Sequence, residues 1–543
     1  MKKLLFILTF TFSLFSISNM HAQTGVEWQS CFSGSNYSVG ILNDVCRTSD
    51  GGYILVGGAS IIDTVFWPYQ MGDGDFGVIR TDSVGNLIWK KTYGGNKMDY
   101  AICVIKGIRP NRYYIAGVSR SESSTNYHSP SNFGDAWLIA IDSAGTQLWN
   151  MCYGGYIGEA FNSLIQLGDS NIIYGIGLTG SPSNSGDVSM NYKQIQTGWI
   201  CKINANNGTL IKERVYGGTN NDELFNSTKL NNNSFLVQAA TQSRDHDVWV
   251  HYGNGQTVEN GWLLNIDTAL NIIWQKTIGT SGGVGGIGDV IKTQDGGAAV
   301  LGATVNRPGD TSSFTFYVDT LPPYGTRKQE AFIIKYDSLG NELWQQHYSA
   351  PLDRVGPEGR FVQMQDKGFV FSSEVNHWHG FALWPYSYGS VLFRTDSVGN
   401  FVSASRYGTG NGGGLQPRNL FTTWDNKLVV TSGGSVACSS SNKAGWSLFQ
   451  IGHQLAIEDN IKTEPLIKVY PNPSNGIINI DFENIDGIKR ISVYNTLGQL
   501  IENNAVNSNL KHYSINLNNY PKGLYFIGIE TETDMLYRKV ILE

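Results

Sequence analysis

The chain has few charged side chains and no cluster of basic ones. Charged residues make up 15% of its 543 residues, and the formal net charge is -6. An average soluble domain carries about 25% charged residues. Because proteins that bind nucleic acid neutralise its phosphates with grouped Lys and Arg side chains, this composition argues against a nucleic-acid partner. After the N-terminal region no run of about 18 apolar residues occurs, so we expect no transmembrane segment in the mature chain.

Short catalytic and metal-binding motifs are missing as well. The sequence has no Gly-x-Ser-x-Gly nucleophile elbow, and its repeated aspartate lacks the spacing of a sialidase-type Asp box. Histidines such as His246 and His377 do not have the close ligand spacing of a metal motif. We therefore expect no metal and no cofactor. Catalytic carboxylates from distant segments would leave no linear motif, so the question of enzyme activity stays open, and a binding protein is favoured.

Cysteines are few and dispersed. The six cysteines do not cluster as the disulfide framework of a small secreted domain would. Most of them fall in strand-like runs, where cysteine acts as a small apolar residue. Cys31 and Cys438 form the one disulfide pair that we consider.

Glycine and aromatic residues are abundant, and they recur with a period near 60 residues. The clearest copies run through residues 82–95 and 142–155. Each contains an Asp-Ser-x-Gly turn followed by Trp and then Tyr-Gly-Gly. Four strand-like runs fall in each unit, and such a repeat is typical of a radial β-propeller.

Seven copies of the repeat can be counted, and the seventh is divided between the two ends of the repeat region. Trp28 belongs to its second half and Trp446 to its first half. We therefore predict an all-β chain with a seven-bladed β-propeller over residues 23–451. Its N-terminal strand pairs with the last blade and closes the ring, which removes exposed sheet edges. Deletion of residues 24–34 is expected to destroy the fold.

The segments on either side of the propeller have different characters. Two lysines followed by an apolar run indicate a secretory signal peptide over residues 1–22. Residues 452–465 are polar and are predicted to be a linker. Residues 466–543 contain short strand-like runs and are predicted to form a small antiparallel β-sandwich.

The C-terminal segment resembles a known family. Its four blocks in order are Tyr-Pro-Asn-Pro at 470–473, Val-Tyr-Asn-Thr-Leu-Gly-Gln at 493–499, Tyr-Pro-Lys-Gly-Leu-Tyr at 520–525 and Lys-Val at 539–540. These blocks resemble the type A C-terminal sorting domain of the type IX secretion system in Bacteroidota-type bacteria. The propeller resembles uncharacterised repeats often found before such domains. The motif residues carried over are Tyr470, Pro471, Asn472, Pro473, Gly476, Gly498, Gly523 and Tyr525.

The resemblance implies a route and a destination. It implies that the type IX machinery exports the chain by recognising residues 466–543 and removes this domain. The protein is then expected to be extracellular or held on the outer-membrane surface.

The long loops of the propeller are the expected binding region. They connect the second and third strands of each blade and lie on one face, where binding usually concentrates. Aromatic rings there suit sugars or peptides, although they could equally pack on one another. The predicted ligand-binding residues are Trp67, Trp249, His251, Trp378, His379 and Trp384.

Three acids occupy a repeated position after Tyr-Gly-Gly. Asp99, Glu159 and Asp222 each follow the second glycine by four residues. They could surround the mouth of the channel, but acceptance of backbone N–H bonds at a strand start is favoured. The functional prediction is a glycan- or protein-binding propeller without catalysis. The alternatives are a carbohydrate-active hydrolase or lyase with carboxylates on the long-loop face, or a structural role in a surface layer.

Overall fold

The structure is a computed structural model, and it shows two compact units, Met1–Leu455 and Ala456–Glu543. The predicted signal peptide and linker lie outside the described residues. The residues described are 26–33, 40–59, 66–67, 73–122, 125–129, 133–192, 196–253, 258–279, 285–305, 329–348, 354–356, 360–376, 389–409, 413–414, 416–423, 426–434, 445–451, 466–483, 488–495, 499–506, 510–531 and 535–543.

The first unit is a seven-bladed β-propeller, and each blade is an antiparallel sheet whose strands we name A to D in order from the axis outward. Blades 1 to 3 are β2 (Gly40–Arg47), β3 (Tyr53–Ala59), β4 (Asp75–Thr81), β5 (Leu87–Tyr93); β6 (Asp99–Lys106), β7 (Tyr113–Ser119), β8 (Asp135–Ile141), β9 (Gln147–Tyr153); and β10 (Glu159–Ile165), β11 (Ile172–Thr179), β12 (Thr197–Asn204), β13 (Leu210–Tyr216).

The remaining blades keep the same order with local variations. Blade 6 has a divided A strand and a two-residue addition to its D strand, and blade 7 takes its D strand from the N-terminus. The strands are β14 (Asp222–Lys229), β15 (Ser234–Thr241), β16 (Asn260–Asp267), β17 (Ile272–Ile278); β18 (Gly285–Lys292), β19 (Ala298–Val305), β20 (Gln329–Tyr336), β21 (Glu342–Tyr348); β22 (Arg354–Gly356), β23 (Phe361–Gln363), β24 (Phe369–Asn376), β25 (Gly389–Thr395), β26 (Phe401–Thr409), β27 (Gly413–Gly414); and β28 (Gln416–Thr422), β29 (Leu428–Gly434), β30 (Gly445–Ile451), β1 (Val26–Ser33).

The N-terminal strand closes the ring. β1 pairs antiparallel with β30, with Gln29 opposite Phe449 and Cys31 opposite Ser447. A side-chain ion pair of 2.7 Å between Lys427 Nζ and Glu27 Oε2 adds a second contact. The two ends of the repeat therefore form one sheet, and the last blade has no exposed C-strand edge.

Cys31 within this closing strand is disulfide-bonded. Cys46, Cys103, Cys152 and Cys201 carry thiols, in agreement with the expectation that most cysteines are small apolar core residues. Cys438, the predicted partner of Cys31, lies outside the described residues. A disulfide in the closing strand constrains the unfolded chain, which favours the folded ring.

The Trp and Tyr that recur in the D strands contact the next blade. In blade 1, Trp89 Nε1 donates to Ser143 O at 3.0 Å and the Tyr93 hydroxyl donates to Gly145 O at 2.7 Å. Both acceptors belong to the C–D turn of blade 2. Equivalent hydroxyl bonds of 2.8 and 2.7 Å join Tyr216 to Leu270 and Tyr348 to Gly399. The sequence repeat therefore encodes the contact between blades.

The aromatic residues of the C strands fill the space between neighbouring sheets. Trp137 meets Phe76 of the neighbouring blade with ring centroids 4.5 Å apart. Trp199 stacks on Phe161 of its own blade at 5.9 Å and belongs to one core cluster with Tyr114 and Leu138 of blade 2. Trp199 is fully buried. Such rings contribute large apolar area to the core, and their recurrence has a structural cause.

The second unit is a β-sandwich of two antiparallel sheets, with strand orders β31-β32-β35 and β34-β33-β36-β37. Buried aliphatic residues from both sheets, including Ile480, Val493 and Ile527, form one core. Within the described part of the chain, no helix has the length and apolar character that crossing a membrane requires. The strands are β31 (Leu466–Tyr470), β32 (Ile477–Glu483), β33 (Arg490–Asn495), β34 (Leu500–Ala505), β35 (His512–Asn516), β36 (Gly523–Glu530) and β37 (Met535–Leu542).

Candidate functional site

Three long B–C loops on one face of the propeller contact one another. We call this surface the loop rim; it comprises the described parts of residues 120–134, 180–196 and 243–259 in blades 2, 3 and 4, together with Tyr156. His128 Nδ1 lies 3.8 Å from Asp187 Oδ2, which links the first two loops. The Tyr192 hydroxyl donates to Asp247 Oδ2 at 3.1 Å, which links the second and third. These polar contacts hold the three loops as one surface.

The loop rim exposes several large apolar side chains. Trp249 is 63% exposed, Tyr156 60% and Phe133 56%, and Met190 and Val250 are about half exposed. Tyr156 is tied to the blade 3 loop, because its backbone N–H donates to Ser185 Oγ at 2.8 Å. Large exposed apolar side chains beside polar groups are typical of binding surfaces.

The six predicted ligand-binding residues have different outcomes. Trp67 is only 1% exposed and its ring centroid lies 5.7 Å from that of Trp446. It fills the core at the closing blade, which corrects the prediction that it is an exposed binding ring. Trp249 lies on the loop rim. His251 is half-buried, with Nε2 3.0 Å from Val258 O. Trp378, His379 and Trp384 lie outside the described residues.

The three repeated acids bind the backbone, as predicted. The second glycine of each Tyr-Gly-Gly donates its N–H to the acid four residues later, at 2.8 Å for Asp99, 3.0 Å for Glu159 and 2.8 Å for Asp222. Hydroxyl groups at the end of the neighbouring B strand complete each cluster; for example, the Thr179 hydroxyl donates to Glu159 at 2.8 Å. These acids organise the connection from one blade to the next.

A second carboxylate faces Glu159. A Cβ atom placed on Gly154 would lie 2.4 Å from Glu159 Oε2 and 3.2 Å from Asp135 Oδ1, so both oxygens converge on one point. Asp135 is fully buried, and within the described residues its Oδ1 has no hydrogen-bond partner. Burial raises the pKa of Glu159 to about 7; bonds from Ser181, Gly155 and Thr179 oppose this rise, and Asp135 adds to it. Burial therefore favours the protonated form of Glu159 up to neutral pH.

Replacing Glu159 by Gln is expected to change how stability depends on pH. Its pKa rises from 4.5 to about 7 on folding, so the folded state keeps a proton that the unfolded state releases. The stabilisation is complete below pH 4.5 and is lost as pH rises through 7. Glutamine is neutral throughout, so between pH 4.5 and 8 the wild type should lose about 3 kcal/mol of unfolding free energy relative to the variant.

Urea unfolding across this pH range measures the effect. Glu122→Gln is a suitable control, because Glu122 is a surface residue, 66% exposed, paired with Lys97. Parallel stability profiles for the wild type and Glu159→Gln would contradict the raised pKa of Glu159.

The axial channel contains a polar cavity that the sequence did not indicate. Its volume is about 280 Å³, and A strands from all seven blades line it. Six of these strands carry a β-bulge at the same place, as between Leu42 and Asp44. Two or three residues of each blade line the cavity, and the first of them in each blade occupies an equivalent position. These first residues, which we call the axial ring, are Asp44, Cys103, Ser163, Asn226, Asp289, Arg360 and Asn419.

Hydrogen bonds around the axial ring cross from blade to blade. Asp44 Oδ2 accepts the N–H of Val104 at 2.8 Å, and Ser163 Oγ lies 2.8 Å from Ser227 Oγ. Asn226 donates to Asp289, which also accepts the N–H of Phe361 at 3.1 Å. Each bond joins neighbouring A strands, so the ring helps to hold the propeller together.

The axial ring has two carboxylates and one cation. Arg360 lies 3.3 Å from Asp289 Oδ1 and its side chain is 28% exposed. Burial raises the pKa of Asp44, whereas Arg360 and bonds from Val104, Val45 and Asn419 oppose the rise. Burial also raises the pKa of Asp289, and the positive charge of Arg360 opposes this rise. Among the described residues no group of three or more His, Cys, Asp and Glu side chains could hold a metal ion.

The motif residues of the sandwich form local hydrogen bonds, and those of Asn472 hold its last strand. Asn472 Nδ2 donates to Lys539 O at 2.9 Å, and its Oδ1 accepts the N–H of Ile541 at 2.9 Å. The Tyr525 hydroxyl donates to Pro521 O at 2.6 Å. The Tyr470 hydroxyl donates to Asp481 at 2.8 Å. The other motif residues have the following positions: Pro471 and Pro473 are exposed, Gly476 and Gly523 have positive φ, and Gly498 lies outside the described residues.

Comparison with protein families identifies this second unit. Residues 468–543 match the family described as secretion system C-terminal sorting domain. The second unit is therefore a sorting domain of the type IX secretion system, which confirms the resemblance seen in its motifs. It indicates export by the type IX route and a secreted or cell-surface protein. No curated protein matches the chain.

Solved structures resemble the chain only distantly. Hydrazine synthase of Kuenenia stuttgartiensis is similar over 77% of this chain and 96% of its own, with 10% identity and a TM-score of 0.40. PorZ, an essential bacterial surface component of the type-IX secretion system of Porphyromonas gingivalis, is similar over 92% and 81%, with 11% identity and a TM-score of 0.23. Sqt1 from Chaetomium thermophilum is similar over 82% and 96%, with 10% identity and a TM-score of 0.33. These values identify neither a ligand nor an activity for this chain.

Proposed function

We propose that the exported propeller binds a glycan or protein ligand through the loop rim, without catalysis. The observation that carries this proposal is the exposure of Trp249, Tyr156 and Phe133 on a surface whose loops are held together by cross-loop contacts. Rigid aromatic side chains supply contact area at low entropic cost. After export, the propeller is either released or attached to the cell surface.

One observation favours the hydrolase alternative. Glu159 has a pKa of about 7 and faces Asp135, and a general acid at neutral pH needs such a value. Its side chain is only 2% exposed, however, and its oxygens already accept bonds from Gly155 and Thr179. A substrate could not reach these oxygens in this conformation, so we favour binding.

Removal of the Trp249 ring should weaken ligand binding. We would screen the mature chain against a glycan array and a peptide library, and in parallel for release of hydrolysis products. For a ligand so found, Trp249→Ala combined with Tyr156→Ala should lower affinity at least about tenfold, as loss of two anchor residues does.

Leu339→Ala provides the matched control. Leu339 is 74% exposed and lies in the C–D turn of blade 5, on the opposite face of the propeller. Its substitution should therefore leave the affinity for the ligand unchanged. Equal affinities for the wild type and the double variant would exclude the loop rim as the binding surface. Release of a hydrolysis product would favour the enzyme instead.

A further inference from the structure

We propose that the axial cavity is a separate binding site for one neutral polyhydroxyl molecule of monosaccharide size. The proposal does not depend on the loop rim. It rests on the axial ring, on the volume of the cavity and on the balance of charge inside it.

The identities of the axial ring residues point to a role beyond packing. The Trp and Tyr of the D strands recur in most blades because they form the same contact with the next blade. At the axial position the seven blades carry five residue types, Asp, Cys, Ser, Asn and Arg. Bulges of the kind that present these residues are common beside functional sites. Because the axial position varies from blade to blade, we infer that its residues serve a specific function and not only the packing of the repeat.

Unused hydrogen-bonding capacity faces the cavity. A guanidinium has five N–H donors, but among the described residues Arg360 makes one hydrogen bond, at 3.3 Å to Asp289. Asp44 forms no ion pair with any described residue, although its carboxylate faces the same space. Carboxylate, amide and guanidinium groups therefore offer both acceptors and donors to a molecule in the cavity.

The charges select against ionic ligands. An anion attracted to Arg360 would also meet the carboxylates of Asp44 and Asp289, and a cation attracted to these would meet Arg360. A hydroxyl group carries no charge, and it both donates and accepts. It can donate to Asp44 and accept from Arg360 without an uncompensated buried charge.

The size of the cavity limits the ligand. Sites for drug-sized molecules are about 300–1,000 Å³, and the cavity of about 280 Å³ lies just below this range. One sugar ring or a linear polyol is therefore the largest ligand expected. The partial exposure of Arg360 shows that solvent reaches its side chain.

Calorimetric titration of the mature chain tests the site. The probes are glucose, galactose, mannose, xylose, N-acetylglucosamine, myo-inositol and mannitol, with sulfate and spermidine as charged probes. We expect saturable binding of at least one neutral probe with a stoichiometry of one. Arg360→Gln should weaken it at least about tenfold, as loss of bonds to a charged donor does.

A second variant and a control separate binding from folding. Asn226→Ala removes one amide while Asp289 keeps its bonds from Phe361 and Val290, so this variant should fold and also bind more weakly. Trp249→Ala should bind the cavity ligand as the wild type does, whatever it does to ligands of the loop rim. The proposal would be overturned if no neutral probe showed saturable binding or if only the charged probes bound. It would also be overturned if Asn226→Ala bound the ligand with the affinity of the wild type.

Discussion

Deletion of residues 24–34 is expected to abolish the cooperative unfolding transition of the propeller. The deletion removes β1, which supplies the D strand of blade 7 and pairs with β30 over most of its length. Without it, the last blade exposes the edge of its C strand, and Trp28 no longer packs against the C–D turn of blade 1 beside Gly85. An open edge invites pairing with other chains, so loss of near-UV circular dichroism and aggregation should accompany the change.

Two controls distinguish the effect of losing the strand from the effects of losing its disulfide or the second unit. Cys31→Ser keeps the strand and loses the disulfide, so it should lower stability by about 2–4 kcal/mol but leave one cooperative transition. Deletion of residues 466–543 should leave the propeller transition in place, because that unit has its own core. A deletion variant of residues 24–34 that unfolds like the wild type would refute closure by the N-terminal strand.

Gly145→Ala is expected to destabilise the propeller more than Gly296→Ala. Both glycines have positive φ, +73° and +85°, so each substitution pays the same backbone cost of about 1–2 kcal/mol. A Cβ on Gly145 would also lie 2.9 Å from the Trp89 ring and 3.0 Å from the Tyr93 hydroxyl, whereas nothing lies within 4 Å of one on Gly296. The contact between blades 1 and 2 must therefore shift in Gly145→Ala but not in Gly296→Ala.

Urea denaturation compares the two variants. Gly145→Ala should lower the free energy of unfolding by about 1–3 kcal/mol more than Gly296→Ala does, as overpacking in a core does. Equal losses would show that the repeated Trp and Tyr do not form the contact between blades that the structure assigns to them.

The sequence predicted the architecture because the repeated residues perform the same task wherever they occur. Trp89 and Tyr93 bind the next C–D turn, and the hydroxyls of Tyr153, Tyr216 and Tyr348 do so in other blades, so the spacing of these residues reports the blade length. The divided seventh copy predicted the pairing of β1 with β30 for the same reason. The acids after Tyr-Gly-Gly were also interpreted correctly, because a backbone-binding role depends on local sequence offsets alone.

The site was less predictable because it depends on contacts between distant segments. Trp67 was placed on the surface because it lies in a long loop, but its ring packs on Trp446, more than 300 residues away in the chain, where the ring closes. The axial ring was missed because it has no consensus residue. Its one sequence signal is positional: Asp44, Asp289 and Arg360 each precede the aspartate of the A–B turn by six residues.

Hydrogen exchange of β1 in the mature chain tests the closed ring most directly. Mass spectrometry can compare a peptide covering residues 26–33 with one covering the equivalent outer strand β5, residues 87–93. A closed ring predicts similar protection in the two peptides, since each strand is bonded along one side to a C strand. Exchange of the N-terminal peptide as fast as that of an unstructured chain, while β5 stays protected, would contradict the circular assembly.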